Sequence, residues 1–203
     1  MHLTEAKQIL SAHNGMNLYR GCTHGCIYCD SRSHCYQMDH DFEDVAVKYK
    51  APELLAEALR KKRKPCMIGT GAMSDPYIPL ERELRLTRRC LEIIANHGFG
   101  LAIHTKSERI LDDLPLLLAI HERARCVVQM TITTYDDALC GRIEPQVSLT
   151  SARLNTLHRL REAGIPTVVW LSPLLPFIND TRANVGAILA ACAEAGVGGI
   201  VSF

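Results

Sequence analysis

From residue 51 onward the chain switches regularly between two hydrophobic periods. Leu54, Leu55, Ala58 and Leu59 form an apolar stripe behind Pro52, which is suited to the first turn of a helix. Met67 to Met73 reads as a strand. A helix is predicted from about Leu80 to His97, with Leu84, Leu91 and Ile94 on one side and Gly98 as its stop. Phe99–Thr105 reads as a strand, Glu108–Glu122 as a helix, and Cys126–Thr133 as a strand. Thr150–Ala163 reads as a helix ended by Gly164, and Ile165–Ser172 as a strand. The helix Asp180–Ala195 carries Val185, Ile188, Leu189 and Cys192 at i, i+3, i+4 and i+7 and stops at Gly196; Gly198–Phe203 starts another strand. Ahead of these, Met16 to Tyr19 fits a first strand, and residues 22–50 are polar and loop-like.

Strands alternating with helices imply parallel pairing through right-handed crossovers. About six strands satisfy either a barrel or an open doubly wound sheet. In both, ligands sit at the carboxyl ends of the strands. Those ends carry Ser74 and Asp75, then His104, Thr105 and Lys106, then Thr131, Thr133 and Thr134, then Ser172. Alternation puts Ala102, His104 and Lys106 on one face, and Gln129, Thr131 and Thr133 on one face of the next strand. His104 reads as a filled barrel position. The chain closes on a strand with no covering helix, so a further C-terminal portion is expected beyond a single core domain spanning 1–203.

Composition narrows the class. In 203 residues, 47% are hydrophobic, enough for one sizeable core. The net charge of +1 argues neither for nor against nucleic acid. The basic run Arg60-Lys61-Lys62-Arg63-Lys64 closes a predicted helix, where the macrodipole favours cations without any phosphate partner. No run approaches a membrane span, and the N-terminus lacks the apolar stretch of a secretory signal. Nine cysteines, six of them scattered, read as reduced thiols of a cytoplasmic protein plus a metal site.

That site is the stretch Gly21-Cys22-Thr23-His24-Gly25-Cys26-Ile27-Tyr28-Cys29-Asp30. Thiolates at C-x3-C-x2-C are soft ligands for zinc, copper or iron–sulfur clusters. Three close ligands without an obvious fourth leave one metal position open. Gly21 and Gly25 give the loop the freedom to turn its thiols inward. A structural zinc completed by His24, His34 or Cys35 satisfies the same spacing.

The triad, with an aromatic before its third cysteine, resembles the cluster loop of radical S-adenosylmethionine (SAM) enzymes. The words Asn17-Leu18-Tyr19-Arg20-Gly21-Cys22, Cys29-Asp30-Ser31-Arg32-Ser33 and Gly69-Thr70-Gly71-Ala72-Met73-Ser74-Asp75-Pro76-Tyr77 are similar to the branch related to spore photoproduct lyase. The resemblance implies a partial (βα)6 TIM-type barrel with its cluster loop over residues 20–36. It implies a [4Fe–4S] cluster on Cys22, Cys26 and Cys29, with SAM on the fourth iron. Reductive cleavage of SAM then yields a deoxyadenosyl radical that takes a hydrogen atom from substrate, with an electron donor such as flavodoxin or ferredoxin as partner. Ser74 and Asp75 are expected near the SAM amino group, Lys106 at its carboxylate, and the backbone around Tyr28 at adenine. Thr131, Thr133 and Ser172 complete the expected cofactor-binding set. Arg142-Ile143-Glu144-Pro145 matches a further word of the branch, with an internal ion pair as its plainest role.

The chain departs from the lyase itself in two places. Asp30 stands where the lyase has a tyrosine, and Ala72 and Met73 stand where it has a hydrogen-donating cysteine. Cys35 and Cys140, both expected in loops on the active-site side, are the substitute donor candidates. The departures weigh against thymine-dimer repair and leave the substrate open, nucleic acid included; lyase-like repair of DNA photoproducts is the alternative reading, and a non-catalytic zinc or iron–sulfur module the second.

Overall fold

The structure, a computed structural model, describes residues 1–202; the last residue of the predicted final strand, Phe203, lies outside the described residues. In chain order the elements are β1 (His2–Thr4), β2 (Gly15–Met16), β3 (Tyr19–Arg20), β4 (Ala46–Lys48), α1 (Ala51–Lys61), β5 (Met67–Thr70), α2 (Glu81–Leu84), α3 (Leu86–His97), β6 (Gly100–Thr105), α4 (Leu114–Arg123), β7 (Cys126–Thr131), α5 (Asp137–Ile143), α6 (Thr150–Glu162), β8 (Thr167–Trp170), α7 (Arg182–Glu194) and β9 (Gly199–Val201). Six strands form one sheet in the order β2-β5-β6-β7-β8-β9, parallel throughout. The order never reverses. Right-handed crossovers that always advance in one direction put every helix on the same side. A doubly wound sheet needs a reversal, so the alternative closes in favour of the partial (βα)6 barrel.

One hydrophobic cluster runs through the fold. Ile68, Leu101, Ile103, Val128, Met130 and Val169 point outward from the strands onto Leu91, Ile94, Leu117, Ile120, Leu157, Leu160 and Ile188 of the helices. The opposite strand face carries Ala102, His104, Gln129, Thr131 and Trp170. Period-two alternation thus separates the packed side from the side that faces the mouth.

Several elements differ from the sequence reading. Met16 to Tyr19 is not one strand: β2 pairs with β5 in the barrel sheet, whereas β3 pairs antiparallel with β4 in a second sheet of order β1-β4-β3. The helix expected at Leu80–His97 breaks at Arg85, whose φ is 47°, in the left-handed region. Buried Glu81 tethers that break, accepting the Tyr19 hydroxyl and the Thr87 amide. The helix expected at Glu108–Glu122 begins as a 3-10 segment over Glu108–Asp113, and its α-helical part opens with Pro115 in the first turn. Helix α5 lies in a segment read as loop; Asp136 caps it by accepting from the Ala138 and Leu139 amides.

Candidate functional site

The cysteine loop connects β3 to β4. It is closed at its root by the Cys22 amide, which donates to the Phe42 carbonyl at 3.1 Å. Gly21 there has a φ of 93°, and a Cβ would stand 2.3 Å from the Phe42 oxygen, so a side chain is excluded. Gly25 has a φ of 71° and packs on the Pro145 ring.

The far wall of the loop comes from the segment joining α5 to α6. The Ile27 amide donates to the Ile143 carbonyl (3.0 Å), and the Gln146 amide donates to the His24 carbonyl (3.1 Å). Between these backbone contacts the Tyr28 hydroxyl donates to Glu144 Oε1, and Arg153 Nη2 donates to Glu144 Oε2. Both charged side chains are fully buried. Burial pushes the Glu144 carboxyl up, but the Arg153 guanidinium and then the Lys106 ammonium outweigh it and hold the group below the usual carboxylate range. Arg153 is further anchored on the Thr131 and Ser148 carbonyls, at 2.8 and 2.7 Å. The Arg-Ile-Glu-Pro word thus provides an internal ion pair, and that pair clamps the cysteine loop.

Cys22, Cys26 and Cys29 line one cavity of about 360 Å³ together with Asp75, Lys106, Thr131, Trp170 and Ser172. All three are free thiols. The His24 amide donates to Cys22 Sγ at 3.4 Å. Burial pushes the Cys22 thiol up to about 11 and the Cys26 thiol up to about 12. A coordinated metal supplies the positive charge that removes the proton from buried sulfur of this kind. Among the described residues, no three His, Cys, Asp or Glu side chains converge as the ligands of a single metal ion. Of the ligands considered for a zinc reading, only His24 lines the cavity; His34 and Cys35 do not. Three thiols of one loop on one cavity match the ligand type of an iron–sulfur cluster, and three sulfur ligands leave one corner open.

The strand ends sort the remaining candidates. Asp75 is a hub: Oδ1 accepts from the Tyr77 amide (2.8 Å) and Thr105 Oγ1 (2.7 Å), and Oδ2 accepts from the Lys106 amide (2.7 Å). His24 Nδ1 lies 3.7 Å from Oδ2. Ser74, its neighbour in sequence, faces the other way, and its buried hydroxyl donates to the Gly21 carbonyl at 2.9 Å. The Lys106 ammonium reaches over the Tyr28 ring, 5.8 Å from its centroid. Thr131 lines the cavity, but Thr133 is wholly buried and does not, because β7 ends at Thr131 and alternation ends with it. Neither substitute hydrogen donor reaches the cavity. Cys35 is exposed on a 3-10 turn, and Cys140 sits not in a loop but on α5, buried, with Arg153 Nη2 donating to its sulfur at 2.8 Å.

Two residues outside the predicted site set form part of the wall. His104 stacks on Trp170, ring centroids 4.9 Å apart at 26°, and its Nε2 pairs with Thr131 Oγ1 at 2.7 Å. Trp170 Nε1 donates to Gln129 Oε1 at 2.6 Å. Burial, and then Lys106, pull the His104 imidazole down to about 4, so it is neutral at pH 7. The one tryptophan in the chain, at a strand end two residues before Ser172, was the available signal for this wall.

A sequential parallel βα sheet with three cysteines of one loop at its mouth defines a class: partial TIM-type barrels with a thiol-lined mouth. A family model described as the Radical SAM superfamily matches residues 16–185, and the chain belongs to that superfamily. An uncharacterised protein of Mycobacterium tuberculosis is 30% identical over 196 residues, covering 93% of this chain and 57% of the relative. One of Methanocaldococcus jannaschii is 31% identical over 173 residues, covering 84% of this chain and 64% of the relative. The chain thus spans roughly three-fifths of the length of these relatives. Among solved structures, a spore photoproduct lyase variant superposes with a TM-score of 0.65 at 16% identity, covering 90% of this chain and 52% of that one. Streptococcus suis SuiB bound to S-adenosylmethionine gives 0.54 at 11% identity, covering 74% and 32%. At these identities the likeness is one of fold.

Proposed function

We propose that this chain holds a [4Fe–4S] cluster on Cys22, Cys26 and Cys29 and uses it to cleave S-adenosylmethionine. The observation that carries the reading is the meeting of the three thiols with Asp75, Lys106, Thr131 and Ser172 around one cavity. When bound, the cluster and S-adenosylmethionine together supply a one-electron cleavage of the sulfonium and an organic radical that takes a hydrogen atom from substrate.

The protein's part is holding, orienting and excluding water. Lys106 offers its ammonium to the methionyl carboxylate of SAM. Asp75 already accepts three protein donors and contributes its charge and a remaining Oδ2 lone pair toward an ammonium. Through the Lys106 amide, Asp75 also fixes the backbone from which that lysine projects. The backbone at Tyr28 takes adenine, and the Glu144 carboxylate holds the Tyr28 ring. The His104–Trp170 stack presents a neutral, largely apolar wall that keeps water from the reacting carbon. Ser74 supports the cluster loop from behind. An acidic flavodoxin or a ferredoxin supplies the electron. The likeness in fold to spore photoproduct lyase does not carry that enzyme's substrate to this chain, because neither Ala72 nor Met73 offers a thiol.

The test is electron paramagnetic resonance after anaerobic reconstitution with iron and sulfide and reduction with dithionite. A reduced-cluster signal that changes shape on adding SAM is expected in the parent and absent in Cys26→Ala. A signal indifferent to SAM, or one tightly held zinc in place of a cluster, would overturn the reading.

A further inference from the structure

A second cavity, of about 240 Å³, lies behind the wall of the first. Ser31 and Met73 line both, and Ser31 Oγ donates to the Met73 carbonyl at 3.2 Å, forming part of the partition. Arg20 of β3 and Lys48 of β4 face into this second space. In the antiparallel register Arg20 stands opposite Ala46, which makes Lys48 its diagonal neighbour on the same face. Like charges at such positions repel. Burial, and then Arg20, hold the Lys48 ammonium below the usual lysine range.

No carboxylate lines the cavity among the described residues. Of the acids next to lining residues, Glu43 pairs with Arg32, Asp30 accepts the Tyr36 hydroxyl, Asp75 accepts three donors at the first cavity, and Asp39 and Asp41 are exposed to solvent. Some of the donors are used on carbonyls. Lys48 Nζ donates to the Asn17 carbonyl (2.8 Å), and Arg20 Nη2 donates to those of Tyr36 (3.1 Å) and Gln37 (2.6 Å). Arg20 Nε points at Met38 Sδ. Arg20 Nη1 has no protein partner among the described residues, and Lys48 keeps two further N–H groups. Anchoring loop carbonyls explains the first set of contacts. It does not explain two cations concentrated on one apolar-walled concavity with no counter-charge, an arrangement that focuses positive potential inside.

The geometry points to a binding site for a small organic anion, a phosphate monoester or a carboxylate on a flat apolar body. Its oxygens bridge Arg20 Nη1 and Lys48 Nζ, and its body lies against Tyr36, Met38 and Phe42. The volume, on the order of eight water molecules, admits a head group and one ring and excludes a polymer segment. The site is separate from the SAM cavity and stands whether or not the proposed radical chemistry does.

The experiment is isothermal titration calorimetry on the reconstituted protein, with SAM present to fill the main cavity. The probes are phenyl phosphate, benzoate and inorganic phosphate. Saturable one-to-one binding of phenyl phosphate or benzoate is expected, the tighter of the two identifying the head group, with inorganic phosphate weaker than phenyl phosphate. Lys48→Gln should weaken binding by about tenfold or more, the scale of a lost charge-assisted hydrogen bond. Lys48→Arg should retain it, and Lys64→Gln, which removes an exposed charge lining neither cavity, should leave it unchanged. If Lys48→Gln does not fold, Phe42→Ala serves in its place and should weaken phenyl phosphate while sparing inorganic phosphate. No saturable heat from either organic probe, equal binding in the Lys48→Gln or Phe42→Ala protein, or loss in Lys64→Gln would each overturn the assignment.

Discussion

Removing the Glu144 carboxylate should unfold this protein more readily than any surface change. The side chains of Glu144 and Arg153 are fully buried and form one ion pair, and the same carboxylate accepts the Tyr28 hydroxyl. Glu144→Ala leaves the guanidinium buried without a counter-charge, which costs about 3–5 kcal/mol. It also orphans the Tyr28 hydroxyl, which adds about 1–3 kcal/mol if no water replaces the acceptor. Glu144→Gln keeps an acceptor for Tyr28 and loses only the charge, so it should fall between parent and Ala. The double change Glu144→Leu, Arg153→Met removes both charges and should be more stable than Glu144→Ala, because no unpaired ion remains. Urea unfolding of the metal-free protein, followed by far-ultraviolet circular dichroism, measures the parent and all three variants. A Glu144→Ala loss below about 1 kcal/mol, or a double variant no more stable than Glu144→Ala, would refute the claim that a buried ion pair fixes this wall.

Other outcomes follow from the same geometry. The His104 imidazole has its folded pKa depressed to about 4 from an ordinary 6.5, so the unfolded chain binds more protons between those values. Stability is full above pH 6.5 and falls as pH drops toward 4, by up to about 3 kcal/mol; urea midpoints at pH 5 and 7.5 should differ less in His104→Gln than in the parent. Gly21→Ala places a Cβ against the Phe42 carbonyl at a positive φ and should cost about 1–3 kcal/mol, read as iron retained after reconstitution and desalting. Lys106→Gln should bind SAM about tenfold more weakly, measured by the SAM concentration that half-changes the reduced-cluster signal, with iron content unchanged.

The barrel was readable because its inner strands carry apolar residues on the packed side and its helices stop at Gly98, Gly164 and Gly196. The small sheet of β1, β3 and β4 was not, because strands of two or three residues show no period. Helix α5 was hidden for a related reason: seven residues make barely two turns, and only the Asp136 cap announces them. The cysteine loop is local and could be read directly, as could Asp75 and Lys106 from their places at strand ends. Ser74 and Thr133 show where that logic stops, since one faces the opposite side and the other lies past the end of its strand. Arg153, on the far side of α5, and the His104–Trp170 stack join residues distant in sequence, which spacing does not reveal.

The clamp on the cysteine loop has a consequence for the order of events during synthesis. Tyr28 and the carboxylate that holds it are 116 positions apart. At ribosomal rates that interval is on the order of ten seconds. Throughout it the three thiols have emerged, or are emerging, while the segment that shapes their loop does not yet exist. The nascent chain passes through a window in which its sulfurs are open to oxidation and to whichever soft metal arrives first, and the window closes only when residues 143–146 dock. The loop that carries the three thiols therefore takes its final shape late, after the second half of the barrel has been translated, and not when the thiols themselves appear.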